Sequence, residues 1–136
     1  MVVLKAVAAE PAPHEQAGIG LAFDAATAAE LVVAVPPDLD FATDALLCVY
    51  LGERPTAGWG LDLQAASLAG GELSVLARET RPRGTVEQVI TYPAGCGLLN
   101  RAALPPGELA VRAHDTISDE FIVAGTVAVP EPEAAP

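Results

Sequence analysis

The sequence is poor in the residues that serve catalysis, metal binding and nucleic-acid recognition. It contains two Cys, two His and one Trp, and only 7 Lys and Arg stand against 18 Asp and Glu. The formal net charge of −11 repels phosphate backbones, so we expect no nucleic-acid binding. The charge is interpreted as keeping the domain soluble, the alternative being that it favours a basic surface on a protein partner. No apolar run reaches the roughly 18 residues of a membrane-spanning helix, so no membrane span is expected.

The sequence is rich in turn-forming residues instead. Twelve Gly and twelve Pro are spread along the chain, which disfavours long helices. Turn signals separate short apolar segments at intervals of roughly 8–12 residues, a spacing typical of all-β folds. We predict one β domain over residues 1–129, an antiparallel sandwich or small barrel of about seven to nine short strands with at most one short helix. Residues 130–136, rich in Pro and Glu, are predicted to form a disordered tail.

Apolar runs and alternation locate the strands. The continuous run LLCVYL (46–51) predicts a strand covered on both faces. A period of two from Trp59 to Ala65 predicts a half-buried strand with both of these residues facing inward, and Gly70-Gly71 predicts a hairpin turn. A short helix is expected to begin near Asp24 or Thr27. The other predicted strands cover residues 2–8, 18–23, 73–77, 86–92, 109–113 and 121–129.

The residues that could support catalysis are widely separated. His14 lies in the Pro-rich loop PAPHEQAG, which indicates a mobile, solvated position, and His114 is interpreted as a surface histidine. The acidic stretch DLDFATD (38–44) lacks the glycine and glutamate of a calcium loop and is typical of a turn in which Asp side chains accept from local backbone amides. No nucleotide-binding glycine pattern is present. We therefore expect no enzyme activity, no metal and no cofactor.

The two cysteines leave two alternatives. Cys48 lies in the LLCVYL strand, where a small apolar side chain is suitable, and Cys96 lies between glycines in a turn-like setting. Buried cysteines are often unpaired, so two free thiols are expected. The alternative is one disulfide, which requires an exported domain and Cα atoms within about 7 Å of each other.

The stretch ERPTAGWG (53–60) is the candidate binding loop. Pro55 favours the second position of a turn, and Gly58 tolerates a positive φ. The ring of Trp59 is expected to plug the end of the core, the alternative being a place at the rim of the sheet. The residues predicted to contact a protein partner are those of this loop together with two arginines of a later turn: Glu53, Arg54, Pro55, Thr56, Gly58, Trp59, Arg81 and Arg83.

Four motifs in order resemble the PrcB C-terminal domain family. GERPTAGW (52–59) is similar to the family signature Gly-x-x-Pro-Ser/Thr-Gly-Gly-Tyr/Trp, with Ala57 in place of one glycine. Before it, DLDFATDALLCVYLG is similar to the family's Asp-Phe entry into an apolar strand. After it come a Gly-Gly turn and a strand that ends in Tyr92-Pro93. The likeness covers residues 38–105, and it departs from the family at AGCG (94–97), where glycines interrupt an expected apolar strand.

The resemblance implies a β-rich accessory module. The family takes its name from a subunit of a surface protease complex, where the subunit is thought to be non-catalytic, and most members are exported or attached to the cell envelope. A protein partner, for example a peptidase, is therefore the expectation, and self-association is left open. The opening MVVLKAVAAEPAP is interpreted as a strand and not as a signal peptide, so localisation is not assigned.

A second resemblance supports an alternative function. RPTAGW (54–59) is similar to the Asn-Pro-Thr-Thr-Gly-Tyr/Phe loop of chagasin-type inhibitors of papain-like cysteine peptidases. These inhibitors insert three loops of an immunoglobulin-like sandwich into the active-site cleft. The other two loops fit less well, because Gly70-Gly71 is a bare turn and Arg83 stands where an aromatic residue is expected.

Overall fold

The computed structural model describes residues 2–131 and confirms the predicted all-β sandwich. Of the predicted tail, residues 132–136 lie outside the described residues. The described part contains eight strands, one α-helix and a turn of 3-10 helix at Arg101–Ala103. In chain order the elements are β1 (Leu4–Ala6), β2 (Gly18–Ala22), α1 (Ala25–Leu31), β3 (Asp44–Tyr50), β4 (Gly60–Ala69), β5 (Glu72–Thr80), β6 (Ala94–Asn100), β7 (Gly107–Asp115) and β8 (Phe121–Val129).

The strands form two four-stranded sheets, in the orders β1-β6-β3-β2 and β4-β5-β7-β8. Neighbouring strands are antiparallel with one exception, because β5 and β7 run parallel, with Val75 beside Ala113. The sequence predicted antiparallel pairs throughout. The difference arises because the chain leaves the second sheet after β5, forms β6 in the first sheet and re-enters the second sheet at its opposite end. The connection from β5 to β7 is therefore a crossover, and it has the length that parallel pairing requires.

Strand β3 is buried on both faces, as its continuous apolar run predicted. Leu47 and Val49 point into the core between the two sheets, where they belong to the same apolar cluster as Val75 and Val111 of the second sheet. Alternation places the intervening residues of β3 on the outer face, where they form a second apolar cluster beneath α1. Burial of both faces thus explains why β3 does not alternate apolar and polar residues, as a strand with one solvated face does.

Helix α1 begins at the predicted position. Asp24 is the N-cap, and its Oδ1 accepts a 2.7 Å hydrogen bond from the backbone N–H of Thr27. The helix buries Ala28 against the outer face of the first sheet and ends at Leu31. Its C-cap, Val32, forms an isolated bridge with Pro11. Within residues 2–131, no helix is long and apolar enough to cross a membrane.

The predicted turns near β3 and β5 are also present. Asp40 Oδ1 accepts from the N–H of Ala42 at 2.9 Å, so the acidic stretch before β3 is a local turn. Gly70 and Gly71 join β4 to β5 with φ of 60° and 76°, the left-handed values of a two-residue hairpin turn. A bulge between Leu63 and Ala65 shifts the register of β4, and Ala65, predicted to face inward, is exposed as a result.

The prediction of a strand at residues 86–92 is wrong, and the strand lies at β6 instead. Only Thr91 of the predicted segment makes a strand-like pair, an isolated bridge with Arg54. The glycines of AGCG do not break the chain but line β6 where its neighbours approach closely. A Cβ atom on Gly95 would lie 2.6 Å from the carbonyl oxygen of Leu61 in the facing sheet. Glycine is therefore required by packing at this position, not by a turn.

The expectation of two free thiols is also wrong, because Cys48 and Cys96 form a disulfide. The two residues are direct cross-strand partners in the β3–β6 ladder, with Cα atoms 4.2 Å apart. The bond links residues 48 positions apart on the outer face of the first sheet. The turn-like appearance of AGCG concealed this pairing, because it arises only when Ala94–Asn100 is a strand.

Candidate functional site

The candidate loop connects the end of β3 to the start of β4 and is held by backbone hydrogen bonds on both sides. The N–H of Leu51 donates to Pro93 O at 3.0 Å, and the N–H of Glu53 donates to Glu15 O at 2.9 Å. Gly52 is buried with φ of 86°, and a Cβ atom there would lie 2.9 Å from the backbone nitrogen of Ala17. Only glycine fits this close approach, so the loop leaves the core in a defined direction.

Trp59 lies at the rim of the second sheet, and the expectation that its ring plugs the core is wrong. The residue is partly exposed, directly precedes β4 and lies outside both apolar clusters. Its Nε1 donates to Thr56 Oγ1 at 3.2 Å, and the guanidinium carbon of Arg54 lies 5.0 Å from the ring centroid. The loop therefore satisfies the indole N–H and covers one side of the ring with a cation.

Arg54 is fixed in this position by its own loop. Its Nη1 donates to the carbonyl of Leu51 at 3.0 Å and to that of Glu53 at 3.2 Å. Its backbone pairs with Thr91 in both directions, at 2.8 and 2.9 Å. The Arg54–Trp59 stack thus has little freedom to rearrange, which lowers the entropy that a binding partner would have to remove.

Residues 81–91 form the second half of the surface and lie along the loop. The N–H of Ala57 donates to Glu87 O at 3.0 Å, and Thr91 Oγ1 donates to Thr56 O at 2.8 Å. Two large apolar side chains of this segment face solvent, with Val89 44% and Ile90 61% exposed. The structure therefore brings loop 52–60 and segment 81–91 together as one surface, which we call the Trp59 surface.

The two predicted arginines of segment 81–91 have different surroundings. Arg81 Nε lies 2.9 Å from Glu79 Oε1, and its Nη2 lies 3.1 Å from Glu120 Oε2. The hydrogen bond and the charge of Glu79, with a further contribution from Glu120, raise the pKa of Arg81. Arg83 is exposed and has no hydrogen bond or ion pair with any residue in the range 2–131. Arg83 is therefore the more available cation of the two.

The ion pair with Glu120 connects the Trp59 surface to the turn between β7 and β8. Asp115 organises that turn by accepting from the N–H groups of Ile117 and Ser118 at 3.1 and 2.9 Å, and it also accepts from Glu79 N at 3.0 Å. These bonds, led by the one from Glu79, lower the pKa of Asp115 to about 2. The turn presents a third large apolar side chain, Ile117, which is 74% exposed.

Both histidines are partly exposed. His14 is partly buried, with its ring centroid 3.8 Å from that of Tyr50 and its Nδ1 2.9 Å from Ala12 O. The hydroxyl of Tyr50 donates to Leu31 O at 2.5 Å, and burial raises the pKa of Tyr50 to about 12. His114 is partly buried beside Phe121, where a bulge in β8 shifts the β7–β8 register, and its Nδ1 is buried without a partner among the described residues. Each histidine thus packs against an aromatic ring.

Two contributors to the site were missed by sequence reasoning, namely Thr91 and Glu87. Segment 86–92 was predicted to be a strand, and its backbone pairs with loop 52–60 at Glu87 and Thr91. Pro82 lies in the turn 81–84 that was predicted to accompany the loop, but nothing in the sequence indicates that this residue packs on Gly58. Contacts between loop 52–60 and segment 81–91 depend on where β5 ends and the chain crosses to the first sheet.

These observations define an all-β sandwich domain with one exposed, internally braced loop surface beside the end of a sheet. More narrowly, residues 45–95, which contain β3 to β5, the loop and segment 81–91, match the model of the PrcB C-terminal family. The predicted resemblance to this family is therefore confirmed over residues 45–95. Comparison with the curated proteins and with the solved structures finds no match.

Proposed function

We propose that this domain is a non-enzymatic accessory module that binds another protein through the Trp59 surface. The observation that carries the proposal is the Arg54–Trp59 stack, a partly exposed indole held in place by backbone-anchored neighbours. Trp and Arg are the side chains most enriched among the residues that dominate binding energy at protein interfaces. The stack is bordered by the exposed side chains of Val89 and Ile90, which would add apolar contact area.

The electrostatics of the Trp59 surface differ from those of the rest of the chain. Its two segments hold three of the seven cationic residues, Arg54, Arg81 and Arg83, although the chain as a whole has a net charge of −11. An approaching protein with neutral or acidic groups therefore meets less repulsion here than elsewhere on the molecule. The match of residues 45–95 to the PrcB C-terminal family supports an accessory role beside a protease subunit.

The disulfide and the histidines support the same proposal. A disulfide persists in oxidising compartments, which agrees with an exported or envelope-bound domain of the kind that the family resemblance implies. Within residues 2–131, neither histidine is hydrogen-bonded to a carboxylate or a hydroxyl group: His14 Nδ1 pairs with Ala12 O, and His114 Nδ1 has no partner. Nucleophilic catalysis needs a hydrogen bond between the base and the nucleophile.

The peptidase-inhibitor alternative is not favoured by the positions of the loops. Chagasin-type inhibition needs three loops at one end of the sandwich. Loop 53–60 and the turn 81–84 meet, because Gly58 contacts Pro82. The turn Gly70-Gly71 lies at the far end of the ten-residue strand β4, about 33 Å away at 3.3 Å per residue. We expect a papain-like peptidase to keep its full activity in the presence of micromolar domain.

The test of the proposal is capture by the immobilised domain from an extract of its native host, followed by mass spectrometry. The double variant R54A/W59A should capture at least tenfold less of the partner, because it removes both members of the stack. The matched control is V33S, which replaces an exposed apolar side chain on another part of the surface and should capture normally. The partner is then purified and its binding to the three proteins measured directly. Equal binding by R54A/W59A and the unaltered domain would exclude this surface.

A further inference from the structure

A cavity of about 590 Å³ opens at the end of the sandwich opposite to Trp59. It lies where β3 and β7 begin and where β6 and β8 finish, whereas the Trp59 surface follows the end of β3. Leu104 and Val129, both members of the core between the sheets, form part of its wall. Its size falls within the roughly 300–1,000 Å³ of typical small-molecule sites.

Arg101 is the one charged residue among the described residues that line this cavity. Its Nη1 donates to the carbonyl of Phe41 at 2.7 Å and to that of Phe23 at 3.3 Å. Its guanidinium carbon lies 5.2 Å from the centroid of the Phe23 ring, and its backbone N–H donates to Thr43 O at 2.9 Å. The guanidinium is thus held in place by neutral groups along one edge and over one face.

The other edge of the guanidinium has unused binding capacity. Arginine has five N–H donors, and the two contacts of Nη1 leave Nε and Nη2 without a partner among residues 2–131. No carboxylate in that range lies within ion-pair distance of Arg101, although the chain contains 18 Asp and Glu. The pKa of Asp24 is lowered chiefly by its hydrogen bonds from Thr27 and to a lesser extent by the charge of Arg101. A partly buried, unpaired cation in an apolar wall favours an anion.

We propose that this cavity binds a small amphiphilic carboxylate. The carboxylate accepts from the free N–H groups of Arg101, and an aliphatic body packs against Leu104, Pro106 and Val129. A single cation in a chain of net charge −11 suits a monoanion, because a more highly charged ligand would be repelled without further cations to hold it. The site is at the opposite end of the molecule from the Trp59 surface, so it does not depend on the proposed function.

The test uses three probes with the same ten-carbon chain and different head groups, namely decanoate, decanol and decyltrimethylammonium, each below its micelle concentration. Titration into the ¹⁵N-labelled domain should give saturable shifts for decanoate at residues 41–42, 101–106 and 129. We expect decanol to bind at least tenfold more weakly and the cation not to bind. Equal affinity for decanol, shifts centred on Trp59, or no saturation with decanoate would each overturn the proposal.

Variants of the cavity wall make the test independent of the structural role of Arg101, whose carbonyl bonds link the segments around Phe23 and Phe41. Ala102 is exposed and lines the opening, so A102W obstructs the cavity without removing any of these bonds. A102W should weaken decanoate binding at least tenfold while leaving the thermal midpoint unchanged. The matched control is A110W, at an exposed position of β7 outside the cavity, which should bind decanoate normally. If A102W binds as tightly as A110W, decanoate lies elsewhere and the assignment is wrong.

Discussion

Gly58 packs directly against Pro82, so that a Cβ atom on Gly58 would lie 2.8 Å from Cβ of Pro82. The contact joins the two segments of the Trp59 surface, and it is available only to a residue without a side chain. Gly58 also has φ of 92°, a value that other residues rarely adopt. Gly58 is therefore needed both for the backbone conformation of the turn and for the packing against Pro82.

The first prediction separates these two roles of Gly58. G58A should lower the free energy of unfolding by about 2 kcal/mol or more, since it adds a clash with Pro82 to the backbone strain. The matched control is G84A in the same surface, because Gly84 has φ of 70° but nothing within 4 Å of its Cβ position. G84A should lower the free energy of unfolding by only about 1 kcal/mol. Urea unfolding followed by the emission of Trp59 measures both, and equal losses would mean that the Pro82 contact contributes nothing.

The second prediction concerns the packing of β6 on the facing sheet. G95A should destabilise the domain by about 3 kcal/mol or prevent folding. The new methyl group would lie 2.6 Å from the backbone oxygen of Leu61, and relieving this clash would require the backbone of the facing strand to shift. G18A is the control, since Gly18 lies in β2 with nothing within 4 Å of its Cβ position. Alanine there should be neutral or stabilising by up to about 1 kcal/mol. Thermal and urea unfolding of the two variants check this, and a fully stable G95A would contradict the observed sheet spacing.

The third prediction concerns the disulfide. Cross-linking residues 48 positions apart restricts the unfolded chain, an effect worth about 4 kcal/mol in the chain-entropy account and about 2–4 kcal/mol in typical measurements. C48A/C96A should therefore unfold at a lower urea concentration than the oxidised domain. A reducing agent should lower the midpoint of the unaltered domain and leave that of the variant unchanged. Thiol alkylation with mass spectrometry would contradict the pairing if it found two reactive thiols in the unfolded, unreduced protein.

The fourth prediction concerns pH and Asp115. Its folded-state pKa, near 2, lies below the ordinary 3.8 because the carboxylate accepts from Glu79 N and from the β7–β8 turn. A lowered folded pKa means that the ionised group stabilises the fold above about pH 4, and that this stabilisation is lost as the pH falls from about 4 towards 2. D115N should be less stable than the unaltered domain at pH 7.

The difference between D115N and the unaltered domain should shrink over that acidic window and be smallest at pH 2. Urea midpoints measured at several pH values give this comparison. D119N provides the control, because Asp119 lies in the same turn with φ of 59° and its carboxylate makes no hydrogen bond among the described residues. A difference between D115N and the unaltered domain that stayed constant from pH 7 to pH 2 would show that the charge of Asp115 is not what stabilises the turn.

Much of the local structure could be predicted from short stretches of sequence. The capping interaction of Asp24, the turn at Gly70-Gly71 and the burial of both faces of β3 each depend on residues close together in the chain. The position of loop 53–60 at the surface was predicted for the same reason, since Pro55 and Gly58 favour a turn wherever the chain goes next. The motifs that matched the PrcB C-terminal family lie within these local features.

The failures share a different cause. The segment 86–92 has the alternation and the β-branched residues of a strand, and it is extended, but no neighbouring strand is placed beside it except at Thr91. Conversely, AGCG looks like a turn and is a strand, because β3 supplies hydrogen-bond partners and the facing sheet leaves no room for side chains. Alternation of apolar and polar residues indicates a preference for extended backbone. Strand pairing also requires a neighbouring strand that can accept and donate backbone hydrogen bonds.

By itself the sequence determined the all-β class, the turns, the helix cap and the presence of an exposed loop around Trp59, because each follows from preferences that act over a few residues. Only the tertiary structure decided that β5 and β7 run parallel, that Cys48 meets Cys96, and that Trp59 stays at the rim with segment 81–91 beside it. Those outcomes depend on which distant segments share a sheet, a choice made by burial of the whole core and not by any one stretch of the chain.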